Sequence, residues 1–208
     1  MFRPFSLSLV LVLVTGAARI EGKATRENGS HPLVQVRIYD YVQVSPEILA
    51  EAKRVASSIF GKIGVEILWS DHSPNSNGPV EANSNHDLGY TKLQLRILSK
   101  EMTEKLPVNK TMTGLTFQGT AGQPGKVANV FHHRVEELAK LNTCSRGEIL
   151  GHAAAHELGH LLLGNLEHSS RGLMKARLGH EDLQSAARGD LLFTAEEAAL
   201  IRRALVPD

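Results

Sequence analysis

Three observations predict an α+β fold with a twisted, mostly parallel sheet, one long buried helix and a small C-terminal helical part. Residues 33–69 read strand, helix, strand, an order that favours a parallel pair joined by a right-handed crossover. Leu93–Leu98 and Val127–Phe131 supply further strands. An apolar run over residues 146–163 is too long for a strand and rich in strong helix formers.

Leu33 to Val44 alternates, with Val34, Val36 and Ile38 set against Gln35 and Arg37, the period of a half-buried strand. Ser45 then reads as an N-cap with Pro46 at the first helical position. Ile48, Leu49, Ala52, Val55, Ala56, Ile59 and Phe60 follow at helical spacing until Gly61 and Gly64 close the helix. Val65 to Trp69 is the second strand. Residues 71–87, rich in Ser, Asn, Gly and Pro, form a surface loop. The Gly/Thr-rich stretch 107–126 leaves room for a short edge strand at Leu115–Gln118. Beyond Phe131 a helix from about Val135 to Leu141 leads into the long helix, Arg146 to Leu163. Thr194-Ala195-Glu196-Glu197 is a capping box before an amphipathic helix, Ala198 to Leu205. No internal repeat is visible.

The 208 residues suit one domain with a substantial core, expected over residues 19–208. Charged residues make up 22% of the chain yet the net charge is only +1, with no basic block or stripe. Nucleic acid is therefore not an expected partner.

Met1-Phe2-Arg3 carries one positive charge, an apolar run follows from Phe5 to Val14, and Thr15-Gly16-Ala17-Ala18 are small. This three-part layout predicts a secretory signal peptide over residues 1–18 and a secreted or periplasmic mature protein. The apolar run falls short of the roughly 20 residues a spanning helix needs, so no stable membrane anchor is expected after cleavage. Cys144 stands alone, which rules out an intramolecular disulfide and leaves the core, helped by a bound metal, to hold the fold. Cys144 itself reads as a small, partly buried hydrophobe.

The most specific signal is His156-Glu157-Leu158-Gly159-His160 inside the apolar helix. Histidines four apart stack one turn above each other, so both imidazoles reach a single ion, expected to be Zn2+. Glu157 then lies beside that ion, placed to take a proton from a bound water. Two core histidines merely satisfied by hydrogen bonds are the bland alternative, but burying them with a carboxylate and no compensating ion is costly. A catalytic zinc has three protein ligands and an open position. His168 is the best candidate for the third, because Gly164 lets the chain turn sharply after the helix. Residues 169–174 then make a turn ending in Met174.

Residues 151–174 together resemble the metzincin metalloproteases, and the element order over residues 33–174 is similar to that family's upper subdomain. The resemblance implies that His156, His160 and His168 hold zinc, that Glu157 is the general base, that Gly164 is the turn glycine and that Met174 lies beneath the metal. It also implies a zincin fold and peptide bond hydrolysis. In the family the turn glycine follows the second histidine by three residues and the third ligand by six; here the offsets are four and eight. No tyrosine follows Met174.

The longer turn leaves other third ligands open: Glu167, Glu181 in a following helix, as in glutamate-ligand zinc peptidases, and His180. His152 lies one turn before His156, and three histidines over two turns are spread too far for one ion, so it reads as a supporting or surface residue. His132 and His133, next to a strand end, read as surface histidines, since neighbours on a strand face opposite ways and cannot readily chelate together. The expected activity is that of a secreted zinc metalloendopeptidase acting on a peptide or protein. A non-catalytic zinc protein and a zinc amidase acting on a non-peptide substrate are the alternatives. Cleavage preference, oligomeric state and the presence of a pro-form are not encoded in any motif found.

Overall fold

The computed structural model of the chain describes residues 31–72, 90–107, 112–117, 125–141 and 144–206. The expected signal peptide, the polar segment after it, most of the 71–87 loop and Gln118 lie outside the described residues. The elements in chain order are β1 (Leu33–Asp40), α1 (Pro46–Lys62), β2 (Glu66–His72), β3 (Thr91–Leu98), α2 (Lys100–Thr103), β4 (Gly114–Thr116), β5 (Val127–Phe131), α3 (His132–Leu141), α4 (Arg146–Leu163), α5 (His180–Ala187) and α6 (Ala195–Leu205).

Five strands form one sheet in the order β2-β1-β3-β5-β4. β1 runs parallel to both β2 and β3, and β3 parallel to β5; only the edge strand β4 is antiparallel, against β5. The parallel β1-α1-β2 unit is the one the sequence predicts. Val34, Val36 and Ile38 of β1, Leu93, Leu95 and Ile97 of β3, and Ala128 and Val130 of β5 are buried in a common core. Alternate residues of a strand share a face, which is why the period-two pattern was readable. α4 packs against α1 and against β4 and β5, so the helix carrying the histidine motif runs through the middle of the domain.

Several boundaries differ from the sequence reading, each for a local reason. β1 stops at Asp40 because the Asp40 carboxylate accepts the backbone N–H groups of Val42 (2.9 Å), Gln43 (3.0 Å) and Val44 (2.7 Å), folding the chain into a tight turn. Gln43 takes a left-handed φ of 59° within it. Ser45 caps α1 as expected, accepting from the Ile48 N–H. α3 begins at His132, directly after β5 and not at about Val135, so His132 and His133, next to the strand end as expected, stand on the first turn of a helix. A capping box of Ser145 and Glu148 starts α4, satisfying two N-terminal donors that the sequence reading had left without partners. The short helix α2, capped by Ser99, had no counterpart in the sequence reading.

Candidate metal centre

Helical spacing on α4 brings the His156 and His160 rings to a centroid separation of 4.7 Å, with their Nε2 atoms 3.1 Å apart. His168 closes the group, its ring centroid 5.4 Å from that of His156 and 4.9 Å from that of His160. One nitrogen from each of the three lies within 4.8 Å of the others, and among the described residues this is the only cluster of three or more His, Cys, Asp or Glu so arranged. His160 is buried, His156 half-buried and His168 exposed.

The route from α4 to His168 explains how the longer turn still delivers the ring. Gly164 caps the helix in the left-handed conformation, φ 69°, a position where a Cβ is strained. Its N–H returns to the His160 carbonyl at 3.1 Å. The next carbonyl, of Asn165, accepts a hydrogen bond from His160 Nδ1 at 3.1 Å, drawing the chain back under the helix. After His168, the Ser169 N–H donates to the Met174 carbonyl at 2.9 Å, and Ser169 forms a bridge with Lys175. The two extra residues are thus absorbed in a loop whose ends are both pinned.

The donor set fits a metal ion, and the tautomers say why. A backbone carbonyl can only accept, so the contacts His156 Nδ1 to Leu173 O (2.8 Å) and His160 Nδ1 to Asn165 O place a proton on each Nδ1. In the neutral rings each Nε2 therefore carries a lone pair, and the two lone pairs face each other across 3.1 Å. Protonating either ring is opposed: burial lowers the pKa of His156, and burial together with the neighbouring His156 lowers that of His160 to about 4. A cation between them resolves the conflict. Two nitrogens bound at ~2.0–2.1 Å in tetrahedral geometry sit about 3.3 Å apart, close to the spacing seen. Three imidazoles suit zinc, and the carbonyls behind two of them fix ring orientation as outer partners of metal-bound histidines do.

Glu157, on the next α4 position, is 5% exposed. Burial raises its pKa to about 7, partly offset by a 2.7 Å hydrogen bond from the Thr116 hydroxyl. Thr116 lay within the expected edge strand, but nothing in the sequence tied it to Glu157, forty-one residues away.

Met174 is buried, with 1% of its surface exposed. A Cβ at Gly159 would lie 2.8 Å from Met174 Sδ and 2.8 Å from Phe193 Cε1, so only glycine lets these side chains press against α4 between the two helical histidines. Glu197 is a second residue whose reach the sequence did not show. One carboxylate oxygen caps α6 by accepting the Thr194 N–H at 2.7 Å, as the capping box predicts, while the other accepts a short hydrogen bond from the Ser169 hydroxyl.

None of the alternative ligands joins the group. Glu167 and Glu181 are exposed and His180 accepts from the Gln184 side-chain amide at 3.0 Å. His152 is not at the surface: it is 4% exposed, its Nδ1 donates to the Glu148 carbonyl at 2.8 Å, and its Nε2 finds no partner among the described residues. Cys144 is buried and donates to the Leu183 carbonyl at 3.0 Å. Beside the centre, His156 borders a cavity of about 220 Å³ with apolar walls that include Ile149, Ala153, Leu178 and Leu183.

A mostly parallel five-stranded sheet crossed by a helix bearing two histidines, with a third brought in by the following turn, makes a mixed α/β domain with a candidate metal centre. Solved structures share this fold. A zinc-dependent peptidase from Methanocorpusculum labreanum matches with a TM-score of 0.50 and 14% identity, over 80% of this chain and 99% of its own. Archaemetzincin from Methanopyrus kandleri matches with a TM-score of 0.51 and 18% identity, over 86% of this chain and 97% of its own. No family model and no curated protein sequence matches.

Proposed function

We propose that this protein is a zinc metallopeptidase in which His156, His160 and His168 hold the metal and Glu157 is the general base. The observation that carries this reading is the facing Nε2 pair of His156 and His160, completed by His168, with a buried carboxylate next to it on α4. The fold likeness to a zinc-dependent peptidase and to archaemetzincin supports it. Zinc bound there would supply Lewis acidity, polarising a peptide carbonyl and acidifying a water. Glu157 accepts the proton of the attacking water and hands it to the leaving amine. The edge strand β4 gives an extended substrate a place to pair, and the cavity beside His156 takes one of its apolar side chains. Internal cleavage of peptides is the favoured activity, and the Met1–Ala18 pattern supports export.

Elemental analysis of the purified protein followed by digestion of a peptide library, with and without chelator, tests the proposal. About one zinc per chain and chelator-sensitive cleavage are expected. Glu157→Gln retains the metal and loses about 10²–10⁴-fold in kcat. A protein that binds no zinc overturns the reading; one that binds zinc but cleaves no peptide belongs with the non-catalytic or amidase alternatives.

A further inference from the structure

We propose that Thr116, with the space left by Gly114, is a positioning residue that holds the Glu157 carboxylate against β4 in its working orientation. This rests on the reading of Glu157 as general base. Gly114 and Thr116 are alternate residues of β4, so both face α4. Thr116 is 3% exposed, and its Oγ1 lies 2.7 Å from Glu157 Oε2 and 3.0 Å from the Glu157 main-chain carbonyl. A buried threonine could satisfy its hydroxyl with the helix carbonyl alone. Here the single proton is also offered to the carboxylate, the stronger acceptor when ionised.

Gly114 supplies an independent observation. A Cβ there would lie 2.5 Å from Glu157 Oε1, 2.6 Å from Glu157 Cγ and 2.6 Å from the Asn129 main-chain carbonyl oxygen. The Glu157 side chain and the Asn129 carbonyl together therefore occupy the volume that any other residue at position 114 would fill. One oxygen is fastened by Thr116 and the other rests over the bare Cα of Gly114. The wall itself is rigid: β4 pairs with β5 from Gly114 to Thr116, and the Asn129 side-chain amide donates to the Leu115 carbonyl at 2.9 Å. With χ rotation blocked on one side and tethered on the other, Glu157 keeps a fixed distance from the imidazole cluster instead of sampling rotamers. Holding a catalytic group in a near-attack position is worth about 100-fold in rate for an ångström of displacement.

The test uses zinc-loaded full-length protein with Thr116→Val, Thr116→Ser and Gly114→Ala. Valine keeps the shape of threonine without the hydroxyl, and about a 10–100-fold fall in kcat is expected, with KM and zinc affinity within about twofold of the parent. Serine restores the hydroxyl and recovers most of the rate, whereas alanine at 114 meets both the carboxylate and the Asn129 carbonyl of β5 and lowers kcat as valine does. Crystal structures of the same variants give a readout that needs no turnover: the Glu157 carboxylate leaves β4 in Thr116→Val and stays in Thr116→Ser. A carboxylate that remains in place in Thr116→Val, or a kcat that does not change, overturns the inference. If the parent cleaves nothing, the peptidase reading fails, and the crystallographic comparison still decides the positioning role.

Discussion

Glu197 of α6 accepts a hydrogen bond from the Ser169 hydroxyl, one residue beyond His168, so the C-terminal helix is tied to the turn that carries the third histidine. The same carboxylate caps its own helix through the Thr194 N–H. Removing the tether frees the turn without touching any imidazole. Ser169→Ala is expected to weaken zinc binding about 10-fold, in the lower part of the range for outer partners of metal ligands. Competition titration against a chromogenic chelator measures it; unchanged affinity would show that the turn holds itself.

His168 is the exposed member of the triad and the one the sequence left contested. His168→Ala should cost more zinc affinity than the roughly 10–100-fold typical of an outer partner. Glu181→Gln and Glu167→Gln should leave affinity within about twofold, since neither residue joins the cluster. Equal losses at His168 and Glu181 would assign the third ligand wrongly.

Gly159 tests the packing beneath the histidines. Its missing Cβ leaves room for Met174 Sδ and Phe193 Cε1, both at 2.8 Å from where that atom would stand. Gly159→Ala is expected to destabilise the fold by about 1–3 kcal/mol through overpacking. Met174→Ala in the same background should recover part of that loss, because contacting residues are not additive. Denaturant unfolding of the four proteins gives the cycle, and strict additivity would remove the proposed clash.

The metal-free protein should become more stable as pH rises from about 4.5 to 6.5. Burial lowers the pKa of His152, His156 and His160 below the ordinary 6.5, to about 4 for His160. Between the folded and unfolded values the unfolded chain binds more protons, so stability rises with pH and is lost as acid drives the rings to charge. Glu157 works the other way: raised from 4.5 to about 7, it favours the folded state at low pH and loses that advantage as pH climbs. Three histidines outweigh one glutamate across the shared window. Glu157→Gln removes the opposing contribution, and its stability profile should be steeper than that of the parent. Thermal melts in chelator at half-unit pH steps provide the measurement; a flat profile would contradict the burial of these rings.

Much of this was legible because it is local. The strand periods around Val34 and Leu95, the Ser45-Pro46 start and the His156–His160 spacing each depend on residues within a turn or two of one another. β5 and α4 were placed with the bounds the structure shows. The selection of His168 over Glu181 was not local, because it turns on where the Asn165 carbonyl meets His160 Nδ1, a contact no spacing rule encodes. Thr116 and Gly114 were invisible for the same reason: a short strand gains its importance from the helix it faces. The start of α3 was set too late, at about Val135, because β5 passes into α3 without a connecting residue, leaving no turn signal to mark the change.

The three nitrogens do not share one mechanical footing. Two project from a rod sealed in the interior, while the third rides a surface bend closed by a serine and a glutamate. Exchange of the ion should therefore proceed by unlatching: the bend lets go first, the rod keeps a two-toothed hold, and a scavenging chelator enters from the solvent side. Release would then be governed by how often that latch opens and not by how often the domain unfolds.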